Sequence, residues 1–260
     1  QSAASSSLAN ANPPFSPATI NYPEGTVATS NFGHFVAGSP GGGQRSVLDR
    51  IDYANDTATA SVKGPLSDAR YILTATGNSS YGYFGGGYSP SGADKSIVDR
   101  IDYVNDTATA VARGPLSLAR EQLGATSNGS SGYAIAGAIP NSTPKSTVDR
   151  FDYVNDFSTA LVKGPLSTAT RQLGATGNEN FGYCGGGTTP SGIVSTVHRI
   201  DYSNDSATAS TKGPLSGAKK YLNASATGNQ NFGYFAGGAP PAFSTVDRVD
   251  YSNDTVDASP

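Results

Sequence analysis

The segment Asp99-Arg100-Ile101-Asp102-Tyr103-Val104-Asn105-Asp106-Thr107-Ala108-Thr109-Ala110 is one of five near-copies in this chain. The others begin at Asp49, Asp149, His198 and Asp247, so the spacings are 50, 50, 49 and 49 residues. A second string, Gly-Tyr-x-Gly-Gly-Gly, begins at Gly82 and Gly182 and returns in altered form at Gly33, Gly132 and Gly233. A third, Gly-Pro-Leu-Ser, begins at Gly64, Gly114, Gly164 and Gly213, with Pro14-Phe15-Ser16 as a weakened copy upstream. Copies in such register come from duplication, and a repeat architecture is the first conclusion to draw from them.

Each unit reads as four short strands, A to D. In the second unit, A is expected at Tyr71 to Gly77 and B at Gly82 to Gly87. C is expected at Ile97 to Val104, where apolar and polar residues alternate with period two. Asn105-Asp106 suits a tight hairpin, because Asn and Asp tolerate positive φ. D then runs from Thr107 to Arg113 and stops at Gly114-Pro115, since proline cannot donate to a ladder. Nothing reads as a helix longer than a turn. Four strands per unit of about 50 residues is what a β-propeller blade requires. The expectation is one all-β domain over residues 1–260, a five-bladed propeller of four-stranded antiparallel blades. The repeats span about 20–66, 67–116, 117–166, 167–215 and 216–260, with 1–19 as a candidate closing strand. Ala3 to Asn12 and Thr255 to Ser259 compete for that closing slot.

Composition agrees and excludes several classes. Gly (32) and Pro (16) together approach a fifth of the 260 residues, against a usual background of about 12%. The net charge of −3 gives no reason to expect nucleic-acid or anionic-membrane binding. No apolar run is long enough to span a membrane. The single cysteine, Cys184, rules out an internal disulfide framework and a multi-cysteine metal site. The absence of Met is expected of a processed product or of a domain cut from something longer.

The unit resembles the kelch motif, in which a short apolar strand ends in a double glycine and a tyrosine follows. The doublets here are Gly86-Gly87, Gly186-Gly187 and Gly237-Gly238, softened to Ala37-Gly38 and Ala136-Gly137. The tyrosines are Tyr53, Tyr103, Tyr153, Tyr202 and Tyr251. The arginine after Gly-Pro-Leu-Ser is Arg70 and Arg120, shifted to Arg171, with Lys219 in the fourth copy. Ala60, Ala110, Ala160, Ala209 and Ala258 stand where kelch has tryptophan, so the blades must fit together differently. The wording of the repeat is also similar to repeats in predicted virion structural proteins of marine phages, those of cyanobacteria especially. That resemblance implies a non-enzymatic protein on a virion or outside a cell, without cofactor, partnered by other virion or cell-surface proteins or glycans.

Candidate residues follow from symmetry. The set Asp49, Arg50, Asp99, Arg100, Asp149, Arg150, Arg199, Asp247 and Arg248 recurs in every unit and is assigned to structure. One ring has one active site, so catalytic groups must break the pattern. His198, His34 and Cys184 do break it, yet they fall on ordinary repeat positions without ligand spacing. The sequons at Asn55, Asn105, Asn204 and Asn253 coincide with a turn that itself calls for Asn-Asp. The loops between strands B and C vary most and all emerge on one side of the ring, where recognition usually lives. Their apolar members Tyr88, Ile139, Ile193 and Phe243 are the candidate ligand contacts, for a host-surface glycan or protein. A carbohydrate-active enzyme on the same fold is the alternative. A loosely latched ring also leaves edge strands open to a second subunit.

Overall fold

A computed structural model describes residues 31–36, 45–223 and 225–260. The N-terminal closing-strand candidate, Pro14-Phe15-Ser16 and Ala37-Gly38 lie outside the described residues. The described chain is all-β: five small antiparallel sheets arranged as a five-bladed propeller, with only single 3-10 turns besides. Blade 1 holds β1 (Phe32–Val36), β2 (Leu48–Asp52) and β3 (Ser61–Lys63). Blade 2 holds β4 (Thr74–Gly77), β5 (Tyr81–Gly85), β6 (Val98–Asp102) and β7 (Val111–Arg113). Blade 3 holds β8 (Gly124–Ser127), β9 (Ser131–Ile135), β12 (Val148–Asp152) and β13 (Leu161–Lys163), with a small hairpin of β10 (Ala138–Ile139) and β11 (Thr143–Pro144). Blade 4 holds β14 (Gly174–Gly177), β15 (Phe181–Gly185), β18 (Val197–Asp201) and β19 (Ser210–Lys212), with β16 (Thr188–Thr189) and β17 (Gly192–Ile193) as its small hairpin. Blade 5 holds β20 (Ala226–Gly228), β21 (Phe232–Ala236) and β22 (Val246–Asp250). The C-terminus supplies its outer edge, where Arg248 and Ser259 exchange backbone hydrogen bonds of 2.8 and 3.1 Å.

The inner strands β4, β8, β14 and β20 pack against one another in that order. Their Gly-Ala-Thr composition follows from the crowding: a Cβ on Gly124 would stand 2.7 Å from a Leu173 methyl of the next blade. The double glycine also has a backbone reason. Gly86 and Gly87 have φ of +69° and +98°, their counterparts in blades 3 to 5 are similar, and among the described doublets Ala136 alone takes this left-handed turn with a side chain.

Strand ends differ from the sequence expectation, and the C–D connection is not a two-residue hairpin. Strand C stops at Asp102, whose Oδ1 accepts from Val104 N at 2.9 Å and caps a 3-10 turn over Tyr103–Asn105. Asp106 then sits at φ −74°, not in the left-handed region. The same cap recurs at Asp52, Asp152, Asp201 and Asp250. On the A–B side, Asn78 accepts from Ser80 N and Tyr81 N, both at 2.9 Å, which closes that turn.

Candidate functional site

The repeated charges lie between blades. In the joint of blades 2 and 3, Asp156 Oδ2 accepts from Arg100 Nη1 at 2.7 Å and from Tyr83 Oη at 3.0 Å, and Arg113 stands 3.3 Å away. Asp205 receives Arg150, Tyr133 and Lys163 in the next joint. Asp254 receives Arg199, Tyr183 and Lys212 in the last. Asp106 receives Arg50, His34 and Lys63 in the first. Burial pushes the Asp106 carboxyl up, but the His34 hydrogen bond and the Arg50 and Lys63 cations outweigh it and hold it below the usual carboxylate value. Asp254 is lowered in the same way. Burial, and then Asp156, push the Tyr83 phenol up.

The repeat tyrosine completes each joint. Tyr153 stacks on Tyr83 with centroids 4.8 Å apart, and its hydroxyl meets Thr76 Oγ1 at 3.2 Å. The alanine in the tryptophan slot has a matching cause. Ala160 N donates to Pro115 O of the preceding blade at 2.9 Å, and Gly114 lies so close to the Ser158 carbonyl that a Cβ would collide with it. Backbone meets backbone there, and an indole would hold the blades apart.

The first Asp of the repeat does separate work. Arg70 Nη1 donates to Asp99 Oδ2 at 2.9 Å with both side chains fully buried. Arg120–Asp149 and Lys219–Asp247 repeat this pair at 2.8 Å each. In blade 4 both partners change together: Thr170 occupies the arginine slot and His198 the aspartate slot. Arg171 is therefore not a shifted copy of Arg120; it occupies the next slot, that of Glu121. His198 receives or donates a 2.9 Å hydrogen bond with Ser167 Oγ, and burial holds it below its ordinary pKa. Cys184 lies beside it on β15, buried, its thiol pushed up to about 12. His34 sits in a different joint, against Asp106. Among the described residues no cluster of three or more His, Cys, Asp or Glu could hold a metal ion.

Connectivity puts the B–C loops and the D-to-A lead-in segments on the same side of the ring. The two are tied together: Tyr71 with Tyr88, Glu121 with Ala138, Arg171 with Thr188 and Lys220 with Ala239 exchange backbone hydrogen bonds of 2.8 to 3.1 Å. Tyr88, Ile139, Ile193 and Phe243 all lie on this face, one per blade from 2 to 5, and all are half-buried. Tyr88 meets Tyr71 edge-on at 5.9 Å, and Phe243 lies under Lys219 Nζ at 5.1 Å. The exposed positions of these loops include Pro90, Pro140, Pro190 and Pro240 instead. The four candidates thus lie half-buried on one side of the propeller, one in each of blades 2 to 5.

Nearer the axis the same face carries a polar cluster that repeat reading passes over. Ile72, Gln122, Gln172 and Tyr221 occupy one repeat slot and have φ of +48°, +59°, +61° and +64°. Such non-glycine left-handed residues carry strain and gather at functional sites. Gln122 N donates to Ile72 O, and Gln172 N to Gln122 O, which chains the blades together at 2.9 and 3.0 Å. Gln122 Nε2 donates to Glu121 Oε1 at 2.7 Å, Arg171 Nη1 to Gln122 Oε1 at 2.9 Å, and Thr188 Oγ1 to Gln172 Oε1 at 3.0 Å. Burial and then the neighbouring Asp94 raise the Glu121 carboxyl, against Gln122 and Arg171. Burial raises Asp94 as well. The signal available in the sequence is the slot Tyr71, Glu121, Arg171, Lys220, which holds an aromatic ring, an acid and two cations across its four copies. The cluster can offer fixed donors and acceptors to a polyhydroxylated ligand, with Tyr88 and Tyr71 as apolar surfaces beside it.

No protein-family model matches this chain, and no curated protein matches it.

Proposed function

We propose that the chain is a non-enzymatic, kelch-like structural and binding propeller, carried on a phage particle as a tail or capsid decoration or otherwise displayed outside a cell. Its B–C loop face recognises a host-surface glycan or protein. One observation carries this reading: the repeated charges are absorbed by the joints, whereas the B–C face combines a rigid, hydrogen-bonded frame with a different side chain in each blade. A frame of that kind selects partners by what is mounted on it. Among the described residues no helix is long and apolar enough to cross a membrane.

The test is binding of labelled protein to candidate host cells and to a glycan array, beside a variant with alanine at Tyr88, Ile139, Ile193 and Phe243. Saturable binding lost in the variant supports recognition through this face. No binding to cells or glycans assigns the propeller a purely structural role. A second reading, a carbohydrate-active enzyme, draws on Glu121 and Asp94, two carboxyls held above their ordinary values as a general acid would be. Cleavage of a bound glycan, abolished in Glu121→Gln, would replace the first reading with this one.

A further inference from the structure

Every sealed joint has a donor face on the leading blade and an acceptor face on the next. In the joint of blades 4 and 5, Tyr183, Val197 and Arg199 form the donor face, and Phe235, Val249 and Asp254 form the acceptor face. Blade 5 carries the donor set again as Tyr234, Val246 and Arg248. Blade 1 carries the acceptor set as Phe35, Ile51 and Asp56. Among the described residues neither set is packed into a joint. Val98, Val148 and Val197 are at most 1% exposed, but Val246 is 46% exposed. Phe84 and Phe235 are 3% and 0% exposed, but Phe35 is 42% exposed. Asp106, Asp156, Asp205 and Asp254 are buried hubs, whereas Asp56 is exposed. Among the described residues no hydrogen bond or ion pair joins blade 5 to blade 1.

The unused donor face is already in its working arrangement. The Arg248 guanidinium lies over the Phe232 ring at 4.9 Å, as Arg199 lies over Phe181 at 4.3 Å in a sealed joint. We propose that these faces bind head to tail between copies of this chain, Tyr234, Val246 and Arg248 of one copy seating on Phe35, Ile51 and Asp56 of a second. Charge favours it, since the donor face ends in a cation and the acceptor face in a carboxylate. So does shape, because the Arg–Asp contact recurs in all four joints within the chain, and the joint of blades 4 and 5 has the same Tyr, Val and Arg against Phe, an aliphatic residue and Asp. Among the described residues Phe35, Asp56, Val246 and Arg248 are exposed and Ile51 and Tyr234 half-buried, which leaves room on both faces for a second copy. The contact joins two different surfaces, so each addition leaves one of each free and assembly proceeds beyond a dimer.

Sedimentation velocity across a concentration series tests this, using the full chain and two variants. Phe35→Glu places a carboxylate in the acceptor face, and Val246→Glu places one in the donor face. Both positions are exposed, so the fold should tolerate them, and melting curves check that it does. The wild-type chain is expected to form species larger than a dimer, and each variant alone to stay monomeric. A mixture of the two variants should give a dimer and stop, because only one pairing of intact faces exists. A wild-type chain that stays monomeric at every concentration overturns the proposal. So does a mixture that stays monomeric, association that neither variant weakens, or a variant that melts well below wild type at a dilution where wild type is itself monomeric, which would place the contact inside one chain.

Discussion

Arg100 of blade 2 and Asp156 of blade 3 meet at 2.7 Å, and the same carboxylate takes the Tyr83 hydroxyl at 3.0 Å. Asp156 is only 5% exposed, so its charge depends on these donors for its solvation. Replacing Asp156 by Ala leaves Arg100, Arg113 and Tyr83 without their shared acceptor. Loss of one partner from a mostly buried charged group should cost about 3 kcal/mol. Urea denaturation measures it. A loss within the range of an ordinary surface substitution, about 0.5 kcal/mol, would mean that the hub adds little to blade cohesion.

The paired change at Thr170 and His198 shows that a neutral couple can replace the buried ion pair. Asp149→His alone strands the fully buried Arg120 guanidinium and should cost about 3 kcal/mol or more. Adding Arg120→Thr rebuilds the blade-4 arrangement in blade 3 and should recover about half of that loss or more. A double-mutant cycle reads the coupling directly, and strictly additive losses would show that the two positions act independently.

Glycine at the blade joints is set by contact, not only by backbone freedom. A Cβ on Gly114 collides with the Ser158 carbonyl of the next blade, whereas a Cβ on Gly92 meets nothing closer than Tyr88 Oη at 3.6 Å. Gly92→Ala should cost about 1 kcal/mol for its φ of +78°. Gly114→Ala should cost about 3 kcal/mol, because two backbones must separate. Thermal melts of the two variants should therefore differ clearly, and equal losses would place Gly114 outside the joint's packing.

Burial holds His198 neutral below its ordinary value of 6.5, and it does the same for His34 against the pull of Asp106. The unfolded chain takes up those protons first. Stability therefore falls as pH drops below 6.5. Asp106 and Asp254 act at lower pH: their contribution is present above 3.8 and is lost as pH falls through their lowered folded values. The melting temperature should decline in two stages between about pH 7 and pH 3. His198→Gln should weaken the first stage and leave the second. A first stage of unchanged size in that variant would assign it to other groups.

The blades are legible in the sequence because one strand of alternating residues and one double glycine recur at fixed spacing. The C–D connection is not: Asn105-Asp106 reads as a tight hairpin, and only the bond of Asp102 to Val104 N shows a capped 3-10 turn there. Arg171 looked like a displaced Arg120 because the slot between Ala169 and Arg171 holds an unremarkable threonine. His198 in the partner slot explains that threonine, but the two slots lie 28 residues apart in sequence, and only the folded blade shows His198 bonded to Ser167 and Thr170 to the Thr168 carbonyl. The shared side of the B–C loops is legible in the sequence, since loop position follows from strand order. The half-burial of the four candidates there does not follow from order; it depends on ring contacts such as Tyr88 with Tyr71. The Glu121–Gln122–Arg171 cluster depends on left-handed backbone at Gln122 and on side chains from adjacent blades, and neither is written in any single repeat.

The account stands or falls on which face of the ring does the recognising. The most direct measurement is equilibrium binding to the cells or glycan that score in the array, with substitutions on both faces compared at matched melting temperature. On the B–C face these are Tyr88→Ala and Arg171→Ala; on the opposite face they are Asn105→Ala and Ser203→Ala, at exposed turn positions. The account predicts that each B–C substitution weakens binding about tenfold or more, the size of a modest hot spot, while the opposite face has no effect. Binding lost through the opposite face, with the B–C substitutions silent, would contradict it.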